Sequence, residues 1–132
     1  MKAILCGLLL VIFSFPCAWA WADRGKQVVS GYYPSYNSQI QPPSMIPWNH
    51  YTHIDYFVAP VENNPEKPIK IENEGVLKET VKLAKAHNVS ISLCIGGWTG
   101  SKFFSTLVGT SESRGKFATS LVQTIKKYGF DG

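Results

Sequence analysis

Residues 89–96 read V-S-I-S-L-C-I-G, a short run rich in β-branched residues that stops at Gly96-Gly97 and is followed by Trp98. The run has the length and composition of a buried strand, and residues 110–128 behind it carry apolar side chains at helical spacing. The period switches the same way earlier, from a strand pattern over 52–61 to a helix pattern over 74–87. Strands alternating with helices require crossover connections and a parallel sheet, so an α/β fold is expected. Gly96, Gly97 and Trp98 then fall at the C-terminal end of a strand, where such folds build their sites. The glycines allow close backbone approach, and Trp98 offers a flat ring face.

The rest of the chain fits this frame. Residues 27–33, Q-V-V-S-G-Y-Y, predict a first strand, and 34–47 a loop in which Pro42-Pro43 excludes helix. Asn63-Asn64-Pro65 ends the second strand. In the helix over 74–87, Leu77, Val81 and Ala84 share one face, with Lys78, Lys82 and Lys85 on the solvated side. The second helix is expected to follow Ser111 or Ser113 as its N-cap and to align Phe117, Leu121, Ile125 and Tyr128, with Gly129 as its stop. Phe130 would open a fourth strand. There are no internal repeats, low-complexity segments or linkers.

Residues 1–22 read as a secretory leader: Lys2, an apolar stretch over 3–15, and a small-residue cleavage site at Ala18-Trp19-Ala20 or Ala20-Trp21-Ala22. The apolar stretch falls short of the ~20 residues of a membrane span, so secretion to the exterior or the cell wall is expected rather than anchoring. Cleavage would remove Cys6 and Cys17, leaving Cys94 without an internal disulfide partner, and lower the formal charge from +4 to +3. The lysines are dispersed and no arginine-aromatic cluster accompanies them, which argues against nucleic acid as a partner. Asn88-Val89-Ser90 is a sequon for N-glycosylation.

The segment C-I-G-G-W-T-G-S-K-F-F-S-T-L-V-G-T, the helix after it, and K-Y-G-F-D-G resemble fungal chitinases of glycoside hydrolase family 18, a resemblance that runs over residues 28–132. That family carries S-x-G-G on its third strand and D-G-x-D-x-D-x-E on its fourth. Gly96 and Gly97 match the first motif, and Asp131 and Gly132 the opening of the second. The resemblance implies a (β/α)8 TIM barrel, and since such a barrel takes about 250 residues, residues 23–132 would be its N-terminal half. It also implies hydrolysis of the β-1,4 links of chitin or chito-oligosaccharides with retention. In that mechanism the substrate's own acetamido oxygen attacks, and the last Glu of the motif donates a proton. That Glu would lie six residues past Gly132, so these 132 residues alone are expected to be inactive.

By the same resemblance Asp131 supports the other motif carboxylates from behind, Tyr32 lines the sugar-binding floor, and Trp98 stands on the leaving-group side. Tyr32, Tyr33, Trp48 and Trp98 are candidate sugar contacts; Tyr33 and Trp48 read more simply as core aromatics, and since neighbouring residues on a strand face opposite ways, Tyr32 and Tyr33 cannot both enter a site. Two positions depart from the family pattern. Cys94 stands where the family has the serine of S-x-G-G, and reads as a structural thiol. Against the family's T-H-x-N-Y-A-F-A, this chain has T-H-I-D-Y-F-V-A, so Val58 replaces an aromatic; a one-residue slip to rescue Phe57 would turn every side chain over. His50, His53 and Asp55 lack the H-E-x-x-H spacing of a metal site, and His53 matches a family strand histidine, so it reads as structural. No cofactor motif is present and none is expected. The complete protein is expected to be a monomer. A chitin-binding lectin on the same barrel is the alternative reading, and an endo-β-N-acetylglucosaminidase shares the motif.

Overall fold

The computed structural model describes residues 27–132; the leader expected over 1–22 lies outside the described residues. Three strands, β1 (Ser30–Pro34), β2 (His53–Ala59) and β3 (Ser90–Ile95), form one sheet in the order β1-β2-β3, with both pairings parallel. Between β2 and β3 lies α1 (Glu74–Ala86). After β3 come two short helices, α2 (Gly97–Gly100) and α3 (Phe104–Val108), and then α4 (Ser111–Tyr128). Among the described residues no helix is long and apolar enough to cross a membrane.

The expected elements are present with small shifts of boundary, and three expectations need correction. The β1–β2 connection holds no α-helix, but it is not free of helical turns: 3-10 turns occupy Ser35–Asn37, Pro43–Met45 and Trp48–His50. Pro43 opens the second of these, because a missing N–H costs nothing at the first position of a helical turn. The N-cap of α4 is Thr110 rather than Ser111 or Ser113. Its hydroxyl accepts from Ser113 N while Ser113 Oγ accepts from Thr110 N, both at 3.1 Å, a reciprocal box. Residues 97–108, read only as a stretch ahead of the helix, hold α2 and α3.

Helix α1 starts at Asn73, whose side-chain oxygen accepts from Val76 N at 3.1 Å. It buries Leu77, Val81 and Ala84 against Ile54, Tyr56 and Ile91 of the sheet, together with Tyr33, Trp48 and Phe130. Each fully buried Leu or Ile adds about 2 kcal/mol. Tyr33 and Trp48 are therefore core residues, as expected. Helix α4 packs Phe117 against Leu107 and Val61 in a second cluster, which Leu121 borders, while Ile125 and Tyr128 reach the first. Gly129, in the left-handed region at φ 79°, ends α4 by donating to Ile125 O at 2.8 Å.

Phe130–Gly132 then returns to the sheet edge. Asp131 N donates to Ile91 O and Leu93 N donates to Gly132 O, both at 2.9 Å, so the chain after Gly129 is aligned beside β3 as a fourth strand would be.

Burial pushes the Tyr33 hydroxyl up to about 12 from an ordinary 10.0, with Tyr56 and Glu79 adding to the rise; burial also raises Tyr56. The unfolded phenol ionises near 10 while the folded one keeps its proton, so above pH 10 the native state holds more protons. Tyr33's contribution to stability is therefore expected to be constant below pH 10 and to be lost between pH 10 and about 12. Denaturant titrations across that window should show the fall, and Tyr33→Phe should reduce it. An unchanged alkaline slope in that variant would assign the effect to other groups.

Candidate functional site

Helix α1 covers one face of the sheet. Among the described residues nothing covers the other face, and alternation along the strands decides what lies on it. Ile54, Tyr56 and Ile91 point into the α1 core, so Ser30, Tyr32, His53, Asp55, Phe57, Ser92 and Cys94 share the opposite side. Near the N-terminal end of the strands this face is polar. Ser30 Oγ donates to Asp55 Oδ2 at 3.0 Å, His53 Nε2 meets Asp55 Oδ1 at 3.2 Å, and Ser92 Oγ shares a hydrogen bond with His53 Nε2 at 3.0 Å. His53 is thus a satisfied structural histidine. Both its polar partners use the same ring nitrogen, so the Ser92-His53-Asp55 set lacks the two-nitrogen relay of a hydrolase triad.

Towards the C-terminal end the face becomes aromatic. Tyr32, 71% exposed, meets Phe57 edge-on with ring centroids 6.0 Å apart, and Tyr36 meets the same ring at 6.4 Å. The sequence reading left Phe57 out of the site, because a one-residue slip to put it where the family has its aromatic would turn every side chain over. No slip is needed, since Phe57 already alternates in phase with His53 and Asp55. A register irregularity between Phe57 and Ala59 accommodates Val58 as an extra residue, and both Phe57 and Val58 approach Gly97.

The turn after β3 is held by two backbone bonds to the end of β2 and the residues just past it, and by one side-chain bond within the turn. Gly96 N donates to Ala59 O at 2.8 Å, Val61 N donates to Gly100 O at 3.0 Å, and Ser101 Oγ donates to Gly97 O at 2.6 Å. Gly96 and Gly97 both take positive φ, at 89° and 78°. A Cβ on Gly96 would lie 2.6 Å from Ser101 Oγ and 2.7 Å from Phe104 Cε2, so only glycine fits. Trp98, next in the chain, has its entire side chain exposed at 101%. Among the described residues nothing packs over the Trp98 ring.

Cys94 sits on the open face opposite Phe57 in register. Burial, then the negative charge of Asp55, pushes its thiol above the ordinary value, which keeps it protonated and weakly nucleophilic. Asp131 is placed at the other end of β3, where its Oδ2 accepts from Ile91 N at 2.9 Å. Ile91 and Gly96 are five residues apart, about 16 Å along a strand, so Asp131 is not brought to the Gly96–Trp98 turn. Asn88 is exposed in the α1–β3 turn.

A cavity of about 190 Å³ opens between the β1 and β2 ends, lined in part by Tyr36, Gln39, Val58, Lys70 and Glu72. The C-terminal side of the sheet therefore offers exposed rings beside polar side chains, the pairing that suits a ligand with apolar faces and hydroxylated edges.

Comparison with known proteins gives a consistent picture. Residues 28–132 match the family described as glycosyl hydrolases family 18. A "chitinase-like effector" of Moniliophthora roreri is 35% identical over 131 residues, 99% of this chain and 32% of that protein. Human "Chitinase-3-like protein 2" is 37% identical over 61% of this chain and 21% of its own length. Among solved structures, a chitinase from Rhizomucor miehei is similar at a TM-score of 0.70 and 35% identity, covering 80% of this chain and 32% of that one. A mutant of catalytic domain 2 of the Ostrinia furnacalis group II chitinase, in complex with penta-N-acetylchitooctaose, is similar at 0.71 and 27%, covering 80% and 30%. The chain spans about a third of the length of the Moniliophthora and Rhizomucor relatives.

Proposed function

The chain belongs to family 18 of the glycosyl hydrolases, and from that premise we propose that the whole protein is a secreted chitinase that binds chito-oligosaccharides along the C-terminal end of this sheet. The observation that carries the reading is the bare Trp98 fixed behind the Gly96-Gly97 turn, with Tyr32 and Phe57 forming an aromatic surface on the open face. Pyranose rings stack on such faces while their hydroxyls bond the polar rim. In the retaining, substrate-assisted reaction the residues described here would hold and orient the sugar, with Tyr32 as floor and Trp98 on the leaving-group side. The proton donor and the carboxylate that steadies the acetamido group would come from residues after Asp131-Gly132, and Asp131 would brace that segment against β3.

A binder without hydrolysis is the second reading. It is favoured by Cys94 in place of the family serine, by Val58 in place of an aromatic, and by the similarity to a protein described as a "chitinase-like effector". The six codons after Gly132 in the transcript discriminate between the two. Glu at the last of them supports the enzyme, and Gln or Leu there supports the binder.

Trp98→Ala in the whole protein is expected to weaken chito-oligosaccharide binding by about 1–3 kcal/mol, the scale of lost ring contact. Because the ring is bare, the melting temperature should not change. Calorimetric titration checks this, and unchanged affinity would remove Trp98 from the groove.

A further inference from the structure

We propose that Asn88 is a site of N-linked glycosylation, placed at the end of the sheet opposite the sugar-binding groove. Asn88 occupies the tight turn between α1 and β3 with φ 56°, the one left-handed non-glycine among the described residues. Asparagine tolerates that conformation better than most residues, so the turn alone would account for it. Ser90 is what separates the two explanations. It is exposed, and among the described residues its hydroxyl makes no side-chain hydrogen bond that would explain it. Val89 between them is buried in the α1 core. With Val89 turned inward, Asn88 and Ser90 face outward together and line one open depression of about 350 Å³, shared with Val28, Thr52 and His53. The acceptor amide and the hydroxyl that a sequon requires are thus presented side by side, with room for a first sugar.

In the modification, Asn88 Nδ2 attacks the anomeric carbon of a polyprenyl-diphosphate-linked oligosaccharide carried by the host's transferase. A C–N bond forms, the C–O bond to the diphosphate breaks, the lipid diphosphate leaves, and one amide proton passes to a base. Asn88 precedes β3 while Gly96 follows it, so the strand's whole length, about 20 Å, separates the glycan from the Gly96–Trp98 turn. Ligand binding should therefore be indifferent to the glycan.

The test expresses the whole coding sequence, leader included, in a yeast secretory host. The secreted protein should show a mobility shift that peptide N-glycosidase F removes, with the converted side chain located at position 88 by mass spectrometry. Ser90→Ala and Asn88→Asp should each abolish the modification at position 88, Ser90→Thr should retain it, and chito-oligosaccharide affinity should be the same in all. Secreted protein with an unmodified Asn88 overturns the proposal while leaving the chitin-binding reading intact. Modification at position 88 that persists in Ser90→Ala, or retention of the protein inside the cell without modification, overturns it as well.

Discussion

A polypeptide of residues 23–132 alone is expected to release no sugar from chito-oligosaccharides and to melt without a sharp transition. The chemical half of this result rests on the proposed reaction. Without the carboxylic acid that follows Gly132 in the family motif, the general-acid contribution of about 10²- to 10⁴-fold is lost. Loss of the carboxylate that orients the acetamido group takes the remainder towards background. The folding half rests on the sheet. Among the described residues, strand β1 has a partner on one side alone, its approach carries the exposed Val28 and Val29, and no layer covers the face bearing Tyr32 and Phe57. Bare edges and uncovered rings favour association over cooperative folding. Calorimetry, light scattering and a chromogenic chito-oligosaccharide would report the three properties. A monodisperse, cooperatively melting polypeptide that liberates sugar would sink the assignment of the acid to the residues beyond Gly132.

Gly96→Ala in the whole protein is expected to cost about 3 kcal/mol of stability, from a positive φ that alanine resists and from a methyl forced onto two side chains. Neither neighbour moves freely. Ser101 holds Gly97 O at 2.6 Å, and Phe104 stands edge-on to Phe117 with centroids 5.9 Å apart, in the cluster that docks α4. Gly115 provides the contrast. It lies within α4 with nothing inside 4 Å of an added Cβ, so Gly115→Ala should stabilise by roughly 0.5–1 kcal/mol through helix propensity. Equal urea midpoints for the Gly96 variant and the parent would contradict the packing described for the turn.

Long periodic segments were legible in the sequence. The α1 stripe of Leu77, Val81 and Ala84, the α4 line from Phe117 to Tyr128, and the Gly129 stop are local patterns that the fold uses as written. Helices α2 and α3 were not, because four or five residues carry too little period to register. They are held by contacts from elsewhere in the chain, such as Val61 N to Gly100 O and the burial of Leu107. Of the site, Gly96, Gly97, Trp98 and the opposite facing of Tyr32 and Tyr33 followed from strand ends and alternation. Phe57 could have been found by carrying that alternation along β2 without appeal to a family pattern. The polar set on the open face could not, since Ser30 and Ser92 lie 25 and 39 residues from the Asp55 and His53 they bond.

The return of the chain to β3 after Gly129 bears on the order in which the molecule assembles. Ile91 and Asp131 are 40 residues apart, joined by two bonds in opposite senses, one to the backbone and one to the carboxylate. Closing a loop of that length costs little more than closing one of 20, about 0.6 kcal/mol per doubling. Helix α4 shortens the gap further by folding most of the intervening residues locally. A nascent chain leaves the ribosome N-terminus first, so this strand-helix-strand unit can close as soon as Gly132 has emerged. Asp131 would then serve as a latch during synthesis, fixing the line along which the next strand is laid before any groove exists to hold a sugar.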